Sequence, residues 1–163
     1  MRSSRRAHGK ILSRASLPSF LEDQKRSLDK IVFTNGCFDV LHVGHTRYLS
    51  EARALGDVLV IGLNSDLSVR KLKGPGRPVN TEKARAEVLA ALECVDYIVP
   101  FSEDTPLDLI KRIRPHYLVK GGDWRKENIV GAQIVESYGG HVRTIPFVKG
   151  FSTTRTLDKI KKL

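Results

Sequence analysis

The chain has 163 residues, 40% hydrophobic and 28% charged, the length and composition of one ordinary domain with a core. No apolar run approaches the roughly 20 residues that span a bilayer, and the basic N-terminus has no apolar segment behind it to form a secretory signal; the two cysteines lack CxxC spacing, so a reducing cytoplasm is expected. The net charge of +10 admits nucleic acid, an anionic membrane or a small polyanionic substrate as partner, and much of it lies in the tails, on Arg2, Arg5, Arg6, Lys10, Lys159, Lys161 and Lys162.

Residues 1–12 read as a flexible basic lead-in to a single domain over 13–163. Leu17, Phe20, Leu21 and Leu28 fit one stripe of a helix over 17–28. An apolar strand begins at Ile31-Val32-Phe33 and runs into Thr34-Asn35-Gly36. A helix starts within 42–45 and continues through Tyr48, Leu49 and Ala52 toward Gly56. The near-continuous apolar run 57–63 suits a strand covered on both faces. Residues 64–80 read as a loop broken by Gly74, Pro75, Gly76 and Pro78, with a basic cluster of Arg70, Lys71, Lys73 and Arg77.

The next helix opens at Asn80-Thr81-Glu82, a polar cap with an acid in the first turn, and carries Ala84, Val88, Ala91 and Leu92 at helical spacing. A third strand covers 95–99. Thr105-Pro106-Leu107-Asp108 reads as a cap with proline at the first helical position, ahead of a stripe of Leu107, Ile110 and Ile113. A fourth strand over 116–120 leads into Gly121-Gly122-Asp123, and a helix over 129–138 stops at Gly139-Gly140. A fifth strand covers 142–147, and Ser152-Thr153-Thr154 opens a last helix through Leu157 and Ile160. Alternating strands and helices predict an α/β fold: a doubly wound, five-stranded parallel sheet with helices on both faces. Ligands then bind beyond the carboxyl ends of the strands, on the loops 34–46, 64–80, 120–124 and 148–154.

Chemistry concentrates in the first of these loops, Thr34-Asn35-Gly36-Cys37-Phe38-Asp39-Val40-Leu41-His42-Val43-Gly44-His45. Two histidines three residues apart fall on one face of a helical turn and reach one ligand. Gly44 leaves the backbone between them bare, and the helix start favours an anion. Neither GxxxxGK[ST] nor GxGxxG occurs, which argues against a P-loop enzyme or a dinucleotide-binding dehydrogenase.

This stretch resembles the HxGH nucleotidylyltransferases, with His42 and His45 in the histidine positions. Lys120-Gly121-Gly122-Asp123-Trp124 is similar to the family's KGGD segment, and Gly150-Phe151-Ser152-Thr153-Thr154 to its GxSTT segment. With GLNSD, LKG, RPVN and FSEDTP, the resemblance covers about residues 10–161 and is closest to the adenylyltransferases that make ADP-heptose from heptose 1-phosphate. It implies a Rossmann-like fold and a free-standing adenylyltransferase domain, the sugar kinase fused to it in some organisms being supplied separately. It also implies AMP transfer from ATP to a sugar 1-phosphate with Mg²⁺ accompanying the nucleotide, a cytoplasmic location, a homo-oligomer, and neither nucleic acid nor membrane as partner.

The resemblance assigns roles as well. His42 and His45 contact the triphosphate and the transition state, and Lys73 or Lys71 closes over the leaving pyrophosphate. Thr34, Asn35, Gly36, Cys37 and Phe38 line the nucleotide site with Lys120, Gly121 and Asp123, the last near the ribose. Ser152, Thr153 and Thr154 offer hydroxyls and helix-start amides to the phosphates. Arg85 assists from the following helix, and Asp39 faces the sugar phosphate. No residue is assigned to a resident metal. Some cytidylyltransferase relatives carry an arginine three residues before the glycine of GxSTT, where this chain has Phe147.

Plainer readings stand beside these. His42 and His45 with Cys37 or Asp39 would make a metal site, but no definite third ligand is spaced for it. Cys37 reads as a small packing residue, Trp124 as packing or a pocket wall, and Lys71 and Lys73 as solvated charges. A cytidylyltransferase or another nucleotidyltransferase acting on glycerol 3-phosphate or a similar phosphate is the alternative within the chemistry. A basic nucleic-acid-binding module is the alternative outside it; it requires aromatics interleaved with basic residues, a pattern this sequence lacks.

Overall fold

The computed structural model describes residues 7–122 and 124–163. The elements are α1 (Leu17–Ser27), β1 (Ile31–Gly36), α2 (Val43–Arg53), β2 (Val58–Asn64), α3 (Asp66–Lys73), α4 (Glu82–Ala90), β3 (Tyr97–Phe101), α5 (Leu107–Ile113), β4 (Tyr117–Gly121), α6 (Ala132–Ser137), β5 (His141–Ile145) and α7 (Thr153–Ile160). The strands form one sheet in the order β3-β2-β1-β4-β5, and every neighbouring pair is parallel. The predicted Rossmann-like, doubly wound sheet is the one observed.

The period-2 alternation of the strands divides the core between the two faces. Phe33, Val60, Val99 and Leu118 point to one side and pack with Phe20 of α1, Ile110 of α5 and Val135 of α6. Val32, Leu59, Ile98 and Val119 point to the other and pack with Leu49 of α2 and Leu89 of α4. β2 is buried along its whole length, which explains its unbroken apolar run. Full burial of each such Leu, Ile or Phe contributes about 1.5–3 kcal/mol. Among the described residues no helix is long and apolar enough to cross a membrane.

Several expected boundaries and faces shift. The lead-in expected through residue 12 is partly docked: Ile11 bridges Ile98 in parallel, the Leu12 amide donates to the Ile98 carbonyl at 2.8 Å, and so the edge of β3 is covered. Residues 1–6 lie outside the described residues. Leu28 leaves the stripe of α1; it takes a left-handed φ of 56° at the helix end and is 87% exposed. The third strand starts two residues later than expected, at Tyr97.

Two corrections bear on the site. Residues 66–73 are a helix, not a loop: the Ser65 hydroxyl accepts from the Ser68 amide, Asp66 lies in the first turn and Arg70, Lys71 and Lys73 in the last, each favoured by the helix dipole. The glycines and prolines of 74–78 interrupt regular structure only after this helix has ended. On α4 the expected stripe is turned outward, with Ala84, Val88 and Ala91 exposed. Its inward face carries Ala86, Leu89, Ala90 and, unexpectedly, Arg85.

Candidate active site

Strand order reverses between β1 and β4, where the connection from β3 crosses back past β2 and β1. The β1–β4 ladder holds only the pairs Val32↔Tyr117 and Phe33↔Leu118, although both strands run further. Beyond that point side chains bridge the opening. The Tyr48 hydroxyl of α2 lies 2.6 Å from Thr34 Oγ1 and 3.3 Å from the Val119 carbonyl. At the rim, Lys120 Nζ donates to Asn35 Oδ1 at 2.8 Å. Burial pushes the Lys120 ammonium below its ordinary pKa and pushes the Tyr48 phenol up to about 12. Sequence reading placed Tyr48 only in a helix; its signal was a phenol three residues after His45, on a face otherwise carrying Leu49 and Ala52.

At the same end, His42 caps α2 in an extended conformation and His45 occupies its third position. Their rings stack with centroids 3.9 Å apart and planes 28° apart. The spacing of Gly44 permits this: a β-carbon there would lie 3.0 Å from the His42 ring. His45 Nδ1 accepts from the His42 amide at 3.3 Å, while His42 Nδ1 is buried with no hydrogen-bond partner among the described residues. Burial, and secondly the neighbouring His42, lower His45 to a pKa of about 4, and burial lowers His42 as well. Both rings are therefore neutral at pH 7 without ligand, and an anion entering the crevice favours their protonation.

The residues expected to reach phosphates divide in two. Lys73, at the end of α3, acts electrostatically on the Cys37 thiol, as do Arg85 and Arg77, each favouring its charged form. Burial outweighs that influence and raises the Cys37 pKa, keeping the thiol protonated at neutral pH. Lys71 points elsewhere and pairs with Asp104 at 3.2 Å on the exposed surface.

Arg85 and Asp39 require correction, because both are occupied internally. The Arg85 side chain is fully buried; it donates to the carbonyls of Cys37 and Asn80 at 2.6 and 3.1 Å and to Asp66 at 2.8 Å. The Asp39 carboxylate accepts from the amides of Val79 and Asn80 at 2.8 and 2.9 Å and from the Arg77 guanidinium at 2.6 Å. Burial alone would raise its pKa, but these donors prevail and hold it below the ordinary carboxylate value. Together they clamp the β1–α2 loop to residues 77–80. Arg77 and Asn80 share in this clamp; sequence reading saw only a basic residue in a loop and a helix cap.

Other expected contacts also turn inward. Thr34 is fully buried, with its hydroxyl on Tyr48. Phe38 is 7% exposed and packs behind His45, ring centroids 5.6 Å apart. Ser152 caps α7 by accepting from the Arg155 amide at 3.1 Å, and the Thr153 hydroxyl donates to the Val40 carbonyl, also at 3.1 Å. These bonds hold the start of α7 beside the histidine loop, where Phe151 approaches His42 with ring centroids 6.4 Å apart. Thr154 is exposed, Gly36 and Gly121 end their strands at the crevice, and Asp123 lies outside the described residues. Among the described residues no group of three or more His, Cys, Asp or Glu is placed to hold a metal.

Comparison with known proteins converges on the same segments. The cytidylyltransferase-like family matches residues 33–154. The bifunctional protein HldE of Syntrophotalea carbinolica is 58% identical over 93% of this chain and 31% of its own length, and that of Geobacter metallireducens is 57% identical with the same coverage. The chain thus spans about a third of the length of these curated relatives. Among solved structures, a lipopolysaccharide core biosynthesis protein from Thermoplasma volcanium superposes with a TM-score of 0.60 at 25% identity, covering 76% of this chain and 99% of its own. A pantoate-beta-alanine ligase from Francisella tularensis shares the fold with a TM-score of 0.59 at 16% identity, over 94% and 78% of the two chains. A match running from β1 through the histidine loop and the β4 rim to the start of α7, on a sheet whose switch point those segments line, places this chain in the cytidylyltransferase-like family of nucleotidyltransferases.

Proposed function

We propose that the chain transfers AMP from ATP to heptose 1-phosphate, giving ADP-heptose and pyrophosphate. An oxygen of the sugar phosphate attacks the α-phosphorus, a new P–O bond forms, and the bond from the α-phosphorus to the bridging oxygen breaks as pyrophosphate leaves. The nucleophile is already an anion at neutral pH, so the site needs no general base. What it must supply is alignment and compensation for charge that develops on the phosphoryl oxygens. The observation that carries this reading is the stacked, neutral pair of His42 and His45 at the start of α2, at the mouth of the switch-point crevice. Lys73 and Lys120 add cationic charge at its rim. Asp39, already engaged by Val79 and Arg77, has little capacity left for a metal, and Mg²⁺ would accompany the nucleotide and offset the charge of its phosphates.

The choice of acceptor rests on similarity. Long identity to proteins named HldE, structural similarity to a lipopolysaccharide core biosynthesis protein, and phenylalanine where some cytidylyltransferase relatives carry arginine all favour the heptose branch. The reaction draws on ATP and so belongs in the cytoplasm. A pyrophosphate-release assay crossing ATP, CTP, GTP and UTP with heptose 1-phosphate and glycerol 3-phosphate tests the assignment. Turnover is expected with ATP and the heptose in the presence of Mg²⁺. Turnover of CTP with glycerol 3-phosphate, and none with ATP and heptose 1-phosphate, would overturn it.

A further inference from the structure

Phe147 has no part in the core. The β4–β5 ladder ends at Gly121↔Ile145, Pro146 has no amide to extend it, and Phe147 emerges beyond the carboxyl edge with 73% of its surface exposed. Its ring is nevertheless placed. A β-carbon on Gly121 would lie 3.1 Å from it, and one on Gly122 would lie 2.5 Å from it, so the ring rests against the bare backbone of this glycine pair. Gly122 also has a φ of 97°, which disfavours any side chain, and its amide donates to the Ile145 carbonyl at 2.8 Å. One side of the ring is supported by rigid backbone, and the rest meets solvent.

The position relates this ring to the catalytic end. Ile145, two residues earlier, packs on the side of the sheet that α2 covers. The same Gly121 β-carbon position lies 3.5 Å from Tyr48 Cε2, and Tyr48 comes three residues after His45 on α2. The neighbouring Lys120 bridges to Asn35 across the crevice. Phe151, by contrast, stands beside His42 at the phosphate end. A nucleotide with its phosphates at the histidines and the start of α7 must extend its base away from them, along the rim. A supported aromatic face there forfeits burial free energy in the unliganded protein and regains it under a flat partner.

We infer that Phe147 is a nucleobase platform: the base of the bound nucleotide stacks on the solvent-facing side of its ring, which makes Phe147 a binding and specificity-determining residue. This rests on the nucleotidyltransferase assignment and not on the identity of the sugar phosphate. A purine overlaps a phenyl ring more fully than a pyrimidine does, so the platform favours ATP over CTP.

Calorimetric titration of the full chain with Mg-ATP, Mg-CTP and inorganic triphosphate, without any acceptor, tests it. Phe147→Ala should weaken ATP binding about tenfold to a hundredfold, weaken CTP less, and leave triphosphate binding unchanged. Phe147→Tyr, which keeps the ring, should retain ATP affinity and the preference for ATP, with circular dichroism showing both variants folded. Unchanged ATP affinity in Phe147→Ala would overturn the proposal. So would an equal loss for ATP and triphosphate, which would mean that the ring only holds the glycine backbone. Loss of ATP affinity in Trp124→Ala but not in Phe147→Ala would move the platform to the other exposed aromatic of that rim. Because the titrations contain no sugar phosphate, these results stand apart from the choice of acceptor.

Discussion

Two charged groups flank the β1–α2 loop, and the structure uses them in opposite ways. On the side of α3 and α4, Asp39, Arg77, Arg85 and Asp66 satisfy one another and the loop backbone. At the crevice, the histidine pair is neutral and the buried His42 Nδ1 makes no hydrogen bond among the described residues, while Lys120 reaches Asn35 at the rim and Lys73 bears electrostatically on Cys37. The first group holds the loop in position before any ligand arrives, and the second has capacity left for one. Charge type in a motif does not separate these roles. Whether a side chain's partners already lie within the protein does.

The largest effect should come from breaking the clamp. Arg85→Met leaves the Cys37 and Asn80 carbonyls without this donor and the partly exposed Asp66 without its partner, which should destabilise the fold by about 2–4 kcal/mol, read as a lower urea midpoint. Wild-type stability with lost ATP binding would instead put Arg85 in the nucleotide site and dissolve the distinction between the groups.

Next, His45→Ala should lower kcat by about 10²–10³ while changing ATP affinity far less, because the ring answers charge that develops during transfer. The same histidine sets a pH signature. Its folded pKa, about 4, is below the ordinary 6.5, so the unfolded chain binds its proton first. Stability of the unliganded protein should therefore fall as pH drops from 6.5 toward 4, and His45→Ala should flatten that slope. ATP binding at pH 7 should take up protons, detectable by titration in buffers of different ionisation enthalpy. A variant with unchanged turnover and no change in proton uptake would remove His45 from the chemistry.

The smallest contrast separates the two lysines of α3. Lys73→Ala should lower kcat/KM about tenfold, as loss of one charge-assisted contact does. Lys71→Ala removes only an exposed ion pair with Asp104, worth about 0–1 kcal/mol, and should leave kcat/KM close to wild type. Equal losses in both would show that α3 acts as a block of positive charge.

Much of the molecule was legible in one dimension. Alternating apolar runs and caps specified a parallel, doubly wound sheet, because strands buried on both faces must be continuously apolar and helices must show one stripe. The ordering of the histidine loop, KGGD and GxSTT segments on loops after strands placed the candidate site at the carboxyl edge, since that is where such loops emerge. Helix α3 escaped notice because the breakers at 74–78 outweighed a short cap at Ser65-Asp66 whose stability depends on burying Val69. The stripe of α4 was misread because a buried arginine occupies a place that hydropathy reserves for leucine.

Only the tertiary structure decided which polar residues remain available. Asp39 and Arg85 meet partners about forty residues away in the chain, and Thr34 and Tyr48 close a gap between strands that are not consecutive. Local sequence carries no record of such pairings. A carboxylate, guanidinium or hydroxyl has the same donors and acceptors wherever it stands, and only the long-range fold determines whether they are already satisfied or left for a ligand.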